Sequence, residues 1–262
     1  MNTSAPRSAG GSIRSVERAF DLLEALEGSG QPLRLTDLGR QTGMPKATVQ
    51  RLLGVLDRRG VVEKSQGRYQ LGIGLVPLAH GYLTESGLTK VSLPILQELA
   101  RESGETATLF VRHRFDRVVV QRVEGADPLR YSMPIGKRLP LLLGAAGLVL
   151  AAAMSREERE RLLLHTGRLR LGSGQTLDRA ALRKKLESAR AQGYAVSRDE
   201  RVIGIFSVAA PILRPDGTAV GAVAVTGPCA RVSDTQAAGL SIEVRQAAQA
   251  IAERHGGAAR EG

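Results

Sequence analysis

TDLGRQTGMPKATVQRLLGVLDRRG, Thr36 to Gly60, carries the pattern from which the N-terminal fold can be read. It predicts two short helices joined by a tight turn. Thr36 is the expected N-cap of a helix that buries Leu38, and Gly43 is placed to end it in the left-handed conformation. Met44 then enters the core. Pro45 suits the first turn of the next helix, where a missing N–H costs nothing. In that helix Val49, Leu52, Leu53 and Leu56 recur at i, i+3, i+4 and i+7, so one stripe faces inward. The opposite face carries Ala47, Arg51, Gly54 and Arg58, flanked by Lys46, Thr48 and Gln50. Small residues beside cations and amides allow close approach to a nucleic-acid groove. Gln pairs with adenine and Arg with guanine, while Lys and Thr reach phosphate. A solvated helix face explains the same residues.

The segment C-terminal to these helices supports the DNA reading. Val61–Lys64 and Arg68–Leu71 are expected to form a hairpin around Ser65-Gln66-Gly67, a wing with a basic tip. Between Met44 and Arg68 six Lys or Arg face two acids, Asp57 and Glu63, which suits a phosphate backbone. Arg68 joins Lys46 and Thr48 as a phosphate candidate; Gln50 and Arg51 are the candidates for base contacts, with Ala47 giving close approach.

The remainder of the 262 residues allows a second domain. With four Phe, four Tyr and no Trp, aliphatic side chains must fill the core. A formal charge of +11 favours an anionic partner without separating nucleic acid from an acidic membrane surface. The single Cys229 excludes an intramolecular disulfide. The longest apolar run, 139–154, is too short and glycine-interrupted to span a bilayer, so a soluble cytoplasmic protein without a membrane partner is expected.

Residues 1–12 read as a flexible tail in which Arg7, like Arg14 beyond it, is either incidental or a minor-groove arm. Ile13–Glu27 is expected to be a helix with Ile13, Val16, Phe20, Leu23 and Leu26 inward, and the DNA-binding domain spans 13–73. A linker helix is placed at 74–90 and a second domain at 91–256, with 257–262 a second tail. Within that domain a helix over Thr89–Glu102 is expected to bury Val91, Ile95, Leu96 and Leu99. Strands are predicted at Ala107–Arg112, Arg117–Val123 and Leu129–Met133, helices at Ser155–His165 and Leu177–Gln192, strands at Ile205–Leu213 and Ala219–Thr226, and a helix at Ser233–His255. In LLLGAAGLVLAAA the small residues Ala145, Ala146 and Gly147 read as a helix start that either lines a cavity, its N–H groups suited to a carboxylate, or packs tightly.

These segments together resemble the IclR family of transcriptional regulators. The resemblance runs through SVERAFDLLEAL, LTDLGRQTGMPKATVQRLLGVLDRRGVVEK and GRYQLGIGLVPLA in the first domain, then LQELARESGETATL, PIGKRLPL followed by AAG, and GYAVSRDERVIGIFSVAAPILRPDGTAVGAVAVTGP in the second. It implies an α+β architecture: an N-terminal winged helix-turn-helix, a linker helix, and a C-terminal GAF-like effector domain with an antiparallel sheet flanked by helices, assembled as dimers or dimers of dimers. It implies a regulator, more often a repressor, of double-stranded operator DNA that senses a small organic acid. The matching pocket positions are Ala145, Ala146, Ser197, Ser207, Ala224 and Thr226. The family commonly has Lys where Leu148 stands, Cys where Ser207 stands, and His in the region of Leu141–Leu143; these changes remove polarity and lean toward a larger or partly apolar ligand.

No metal, cofactor or catalytic group is called for. His80, His113, His165 and His255 share no motif, Ser207, Ser197 and Asp199 lack a nucleophile elbow, and Cys229 has no recognisable activating neighbour. A hydrolase is therefore the weaker rival, and a ligand-independent architectural DNA binder the other.

Overall fold

The computed structural model describes residues 13–127, 131 and 133–258. The chain divides into two units, Met1–Tyr82 and Leu83–Gly262. The expected tail at 1–12 lies outside the described residues, as does the end of the tail expected at 257–262.

In the first unit α1 (Arg14–Ser29), β1 (Leu33–Arg34), α2 (Leu35–Thr42), α3 (Lys46–Arg58), β2 (Val62–Ser65) and β3 (Arg68–Leu71) precede α4 (Leu75–Glu85). Three strands pair antiparallel in the order β1-β3-β2. The β2–β3 turn holds Gln66 at φ 48° and Gly67 at φ 75°. Two consecutive left-handed residues match the right-handed twist of the flanking strands, the usual solution for a two-residue hairpin. Leu22, Leu26, Leu38, Met44, Val49, Leu53, Val62 and Tyr69 are buried together as the core of this unit.

Several expectations need correction here. Thr36 is not the N-cap: α2 starts at Leu35, Arg34 caps it, and its backbone N–H donates to Asp37 Oδ2 at 3.1 Å. The Asp carboxylate three residues on proved the better partner for a free donor. Pro45 sits one place earlier than expected, as the N-cap of α3. In α3 Val49 and Leu53 are buried, whereas Leu52 and Leu56 are half-buried at the rim. In α1 only Leu22 and Leu26 are buried; Ile13, Val16 and Phe20 are 69%, 50% and 60% exposed. The periodicity found an apolar stripe correctly, but the unit's small core engages only the C-terminal half of the helix.

The second unit contains α5 (Gly87–Ser103), β4 (Thr106–His113), β5 (Asp116–Val123), β6 (Arg138–Pro140), α6 (Ala145–Ala152), α7 (Arg156–Thr166), β7 (Leu169–Arg170), β8 (Thr176–Leu177), α8 (Arg179–Gln192), β9 (Ala195–Arg198), β10 (Ile205–Leu213), β11 (Ala219–Pro228) and α9 (Asp234–Ala258). Six of the strands form one antiparallel sheet, ordered β6-β5-β4-β11-β10-β9. The strand expected at Leu129–Met133 falls partly outside the described residues, and β6 at Arg138–Pro140 takes the third place in the meander. Leu177 belongs to β8 rather than to a helix; α8 starts after Asp178, whose Oδ1 accepts from Ala181 N–H at 2.8 Å.

Alternation along the strands builds three layers. Phe206, Val208, Ala210 and Ile212 of β10, with Val223 and Val225 of β11, are buried with α5 and α9. The opposite face offers Ala209, Ala222 and Ala224, and α6, α7 and α8 pack there. Methyl-sized side chains on that face let α6 settle close to the sheet, and that approach shapes a cleft at the start of the helix.

Candidate functional site

The first unit presents its polar residues on α3. Lys46, Ala47, Gln50, Arg51 and Arg58 are exposed, and Thr48 is half-buried. This is the face left over once Val49 and Leu53 turn inward. The wing adds exposed Lys64, whose Nζ lies 5.6 Å from the Tyr69 ring centre, and exposed Arg68 at the foot of β3. Arg68 donates to the Pro32 carbonyl at 3.3 Å. Its guanidinium is thus tethered beside β1, away from the tip, with further N–H donors for a phosphate. Exposed cations, an amide and a small residue on one helix face, beside a basic hairpin, form a surface that can enter a groove and hold the flanking backbone.

In the second unit a small cleft, with a cavity volume of about 40 Å³, opens where α6 begins. Five of the six residues expected in a pocket, Ala145, Ala146, Ser197, Ser207 and Thr226, line it. Cross-strand register brings the hydroxyls together: Ser207 stands opposite Thr226 on one side and Ser197 on the other. Thr226 Oγ1 and Ser207 Oγ are 3.1 Å apart, and Ala145 N–H donates to Ser197 Oγ at 3.2 Å. Ala224 does not line the cleft. It is fully buried beneath α6 between Ala209 and Thr108, where its small size serves packing.

The structure adds charged residues that the sequence reading missed. Arg117 on β5 is 3% exposed, and Glu200, just past β9, is 6% exposed. Glu200 Oε2 accepts from Gly144 N–H at 3.0 Å, and its carboxylate is paired with Lys185 of α8. Arg117 donates to the Pro140 carbonyl and lies 5.4 Å from the Phe110 ring centre. Arg201 donates to the Tyr131 hydroxyl and stacks 5.0 Å from that ring's centre. Burial, then the like charge of Arg201, lowers the Arg117 pKa from its ordinary value to about 9, with Glu200 and Asp116 opposing the shift. The guanidinium remains charged at neutral pH.

Two glycines make this arrangement possible. Gly144, the N-cap of α6, adopts φ 87° and ψ 161°, a conformation that side chains avoid. A Cβ on Gly147 would stand 2.0 Å from the Leu141 carbonyl oxygen and 2.5 Å from Arg117 Nη1. Gly147 therefore admits the guanidinium to the side of the helix start. The signal available in the sequence was the GAAG pattern; Arg117 and Glu200 lie 30 and 53 positions from Gly147 and carry no local mark.

Comparison with known proteins divides the chain in the same way. Residues 15–66 match the IclR helix-turn-helix domain, and residues 80–253 match the bacterial transcriptional regulator IclR C-terminal domain. The HTH-type transcriptional repressor AllR of Salmonella paratyphi A is 30% identical over 240 residues, covering 91% of this chain and 88% of that protein. AllR of Escherichia coli K12 is 29% identical over the same share of this chain and 89% of its own. Among solved structures, an IclR transcriptional regulator from Silicibacter superposes with a TM-score of 0.82 at 28% identity, covering 92% of this chain and 96% of the other. An IclR homologue from Microbacterium hydrocarbonoxydans, complexed with 4-hydroxybenzoate, shares the fold with a TM-score of 0.74 at 24% identity, covering 93% and 99%. The chain is a DNA-binding transcriptional regulator rather than an enzyme, and it belongs to the IclR family.

Proposed function

We propose that the protein is a cytoplasmic repressor that binds a roughly palindromic operator as a dimer or dimer of dimers and changes its affinity when a small organic acid enters the C-terminal cleft. The observation that carries this reading is the pairing of an exposed basic recognition surface in one unit with a lined, cationic cleft in the other. On this reading residues 13–73 read DNA, 74–90 link, and 91–256 sense and oligomerise. Gln50 and Arg51 contact bases, Ala47 permits close approach, and Lys46, Thr48 and Arg68 hold phosphate. Ala145, Ala146, Ser197, Ser207 and Thr226 surround the effector. Ala224 supports α6 from below.

Self-association is supported by the apolar stripe of Ile13, Val16 and Phe20 on α1, which the unit's own core leaves uncovered. One short helix also makes too few contacts for useful selectivity, so paired half-sites are needed. The AllR relatives are named repressors, and the 4-hydroxybenzoate complex shows that a protein of this fold accepts an organic acid. The test is genome-wide mapping of bound promoters followed by footprinting of the purified chain. Two symmetric protected half-sites, with protection altered by a carboxylic acid made or consumed by neighbouring genes, are expected. Protection of a single asymmetric site, indifferent to every such acid, would instead describe a ligand-independent architectural binder.

A further inference from the structure

We propose that Arg117 is the anion anchor of the cleft, and that the cleft therefore selects organic acids with one negative charge and an apolar body. This rests on the reading of the cleft as the effector site and names the chemistry that site takes. Arg117 Nε is buried without a hydrogen-bond partner. Among the described residues its guanidinium donates to one neutral carbonyl, that of Pro140, and no carboxylate lies within ion-pair distance. A buried cation satisfied so incompletely is costly unless something else arrives to pair with it.

Its placement says what that something is. The guanidinium lies against Gly144 and Gly147, where added Cβ atoms would approach its Nη2 at 3.2 Å and its Nη1 at 2.5 Å. It therefore stands beside the first turn of α6, the positive end of the helix dipole, whose leading N–H groups have no intrahelical acceptor. Two positive features converge at the inner end of one cleft. A carboxylate there pairs with the guanidinium and with first-turn N–H groups beyond those of Gly144 and Ala145, which donate to Glu200 and Ser197, an arrangement that favours a planar, charge-assisted contact.

The charge count sets the ligand's valence. Glu200 accepts from Gly144 N–H and is paired with Lys185, and Asp116 also opposes the charge of Arg117. With Arg117, Arg201 and Lys185 set against Glu200 and Asp116, the groups around the cleft sum to a net charge of one, matched by a single acid group. Beyond that end the walls include Phe110, Met133 and Ile205, which suit hydrocarbon better than a second carboxylate.

The experiment uses the full chain as wild type, Arg117→Met and Arg117→Lys. Melting temperature and calorimetric affinity are measured with matched probes: benzoate, 4-hydroxybenzoate and phenylacetate, the amide of each, and the dianions succinate and terephthalate. The expected result is binding of at least one monocarboxylate to wild type, at least tenfold weaker binding of its amide and of the dianions, a tenfold or greater loss in Arg117→Met, and partial recovery in Arg117→Lys. Equal binding of acid and amide, preference for a dianion, or unchanged acid affinity in Arg117→Met overturns the proposal. If no acid in the panel binds, the unliganded proteins decide. A melting temperature for Arg117→Met at or above wild type sustains an anchor awaiting its anion, and a lowered one identifies Arg117 as a structural tie to Pro140. Operator binding by wild type, measured in parallel, separates the two readings: its absence sinks the regulator while leaving the acid affinities standing.

Discussion

The two units keep their candidate functional residues on opposite sides of the solvent boundary. In the first, Gln50, Arg51 and Lys46 are exposed on α3 because Val49 and Leu53 occupy the inward stripe. In the second, Arg117 and Glu200 are buried where a sheet meets a helix start. A surface site of the first kind can be altered with little cost to the fold, because its side chains are already solvated. A buried site of the second kind cannot where its charges are already paired, as Glu200 is with Lys185 and Gly144 N–H, because removing one partner strands the others. The difference implies separable folding and binding in the first unit and coupled folding and binding in the second.

Glu200→Ala should give the largest effect. It removes the acceptor of Gly144 N–H, the partner of Lys185 and the carboxylate nearest in effect to Arg117, at a cost of about 3 to 5 kcal/mol. Calorimetry should show the loss confined to the transition of the second unit; an unchanged melting profile would mean that Glu200 is not integral to the site. Leu53→Ala comes next. It opens a cavity at a position with no exposure, costs about 2 to 5 kcal/mol, and should abolish DNA binding while leaving acid affinity in the second unit intact. Loss of both functions would break the proposed separability.

Gln50→Ala and Arg51→Ala should each weaken a cognate operator by about 1 to 3 kcal/mol and relax base preference, with no change in melting temperature. Unchanged footprints and mismatch tolerance in both variants would move the docking face elsewhere. The smallest effect is expected at Arg183, which pairs with Glu160 at 2.8 Å on the surface. Arg183→Ala should change neither melting nor binding, since exposed pairs are screened and flexible.

The same contrast explains how much was legible in sequence. The helix-turn-helix and wing arise from local signals: a 3.6-residue apolar period, Pro45 near a helix start, Gly43 at a helix end, and a Gln66-Gly67 turn. Even there, the buried half of α1 was not legible, because periodicity marks an apolar stripe without saying how far the core extends beneath it. In the second unit the helices and longest strands were legible, and so was the small-residue helix start at Ala145 and Ala146; Ser197, Ser207, Ala224 and Thr226 were expected only through the family resemblance, and of these Ala224 does not line the cleft. The charged part of the cleft was not legible. Gly144 and Glu200 meet across 56 residues, and Ser197 reaches Ala145 across 52. Such pairings come from strand order and helix docking, neither of which leaves a local period.

Coupling between the cleft and DNA binding is tested most directly by the operator affinity of wild type and Ala146→Leu, with and without a binding carboxylic acid. A ligand changes regulation only through different affinities for DNA-competent and DNA-incompetent states, so filling the cleft should fix the switch. Overpacking at Ala146 is expected to cost about 1 to 3 kcal/mol, and melting curves must confirm that the variant is folded at the assay temperature. The acid is expected to shift wild-type operator affinity at least tenfold and to leave Ala146→Leu unmoved; an equal shift in both proteins, at the same acid concentration, would contradict a regulatory role for the cleft.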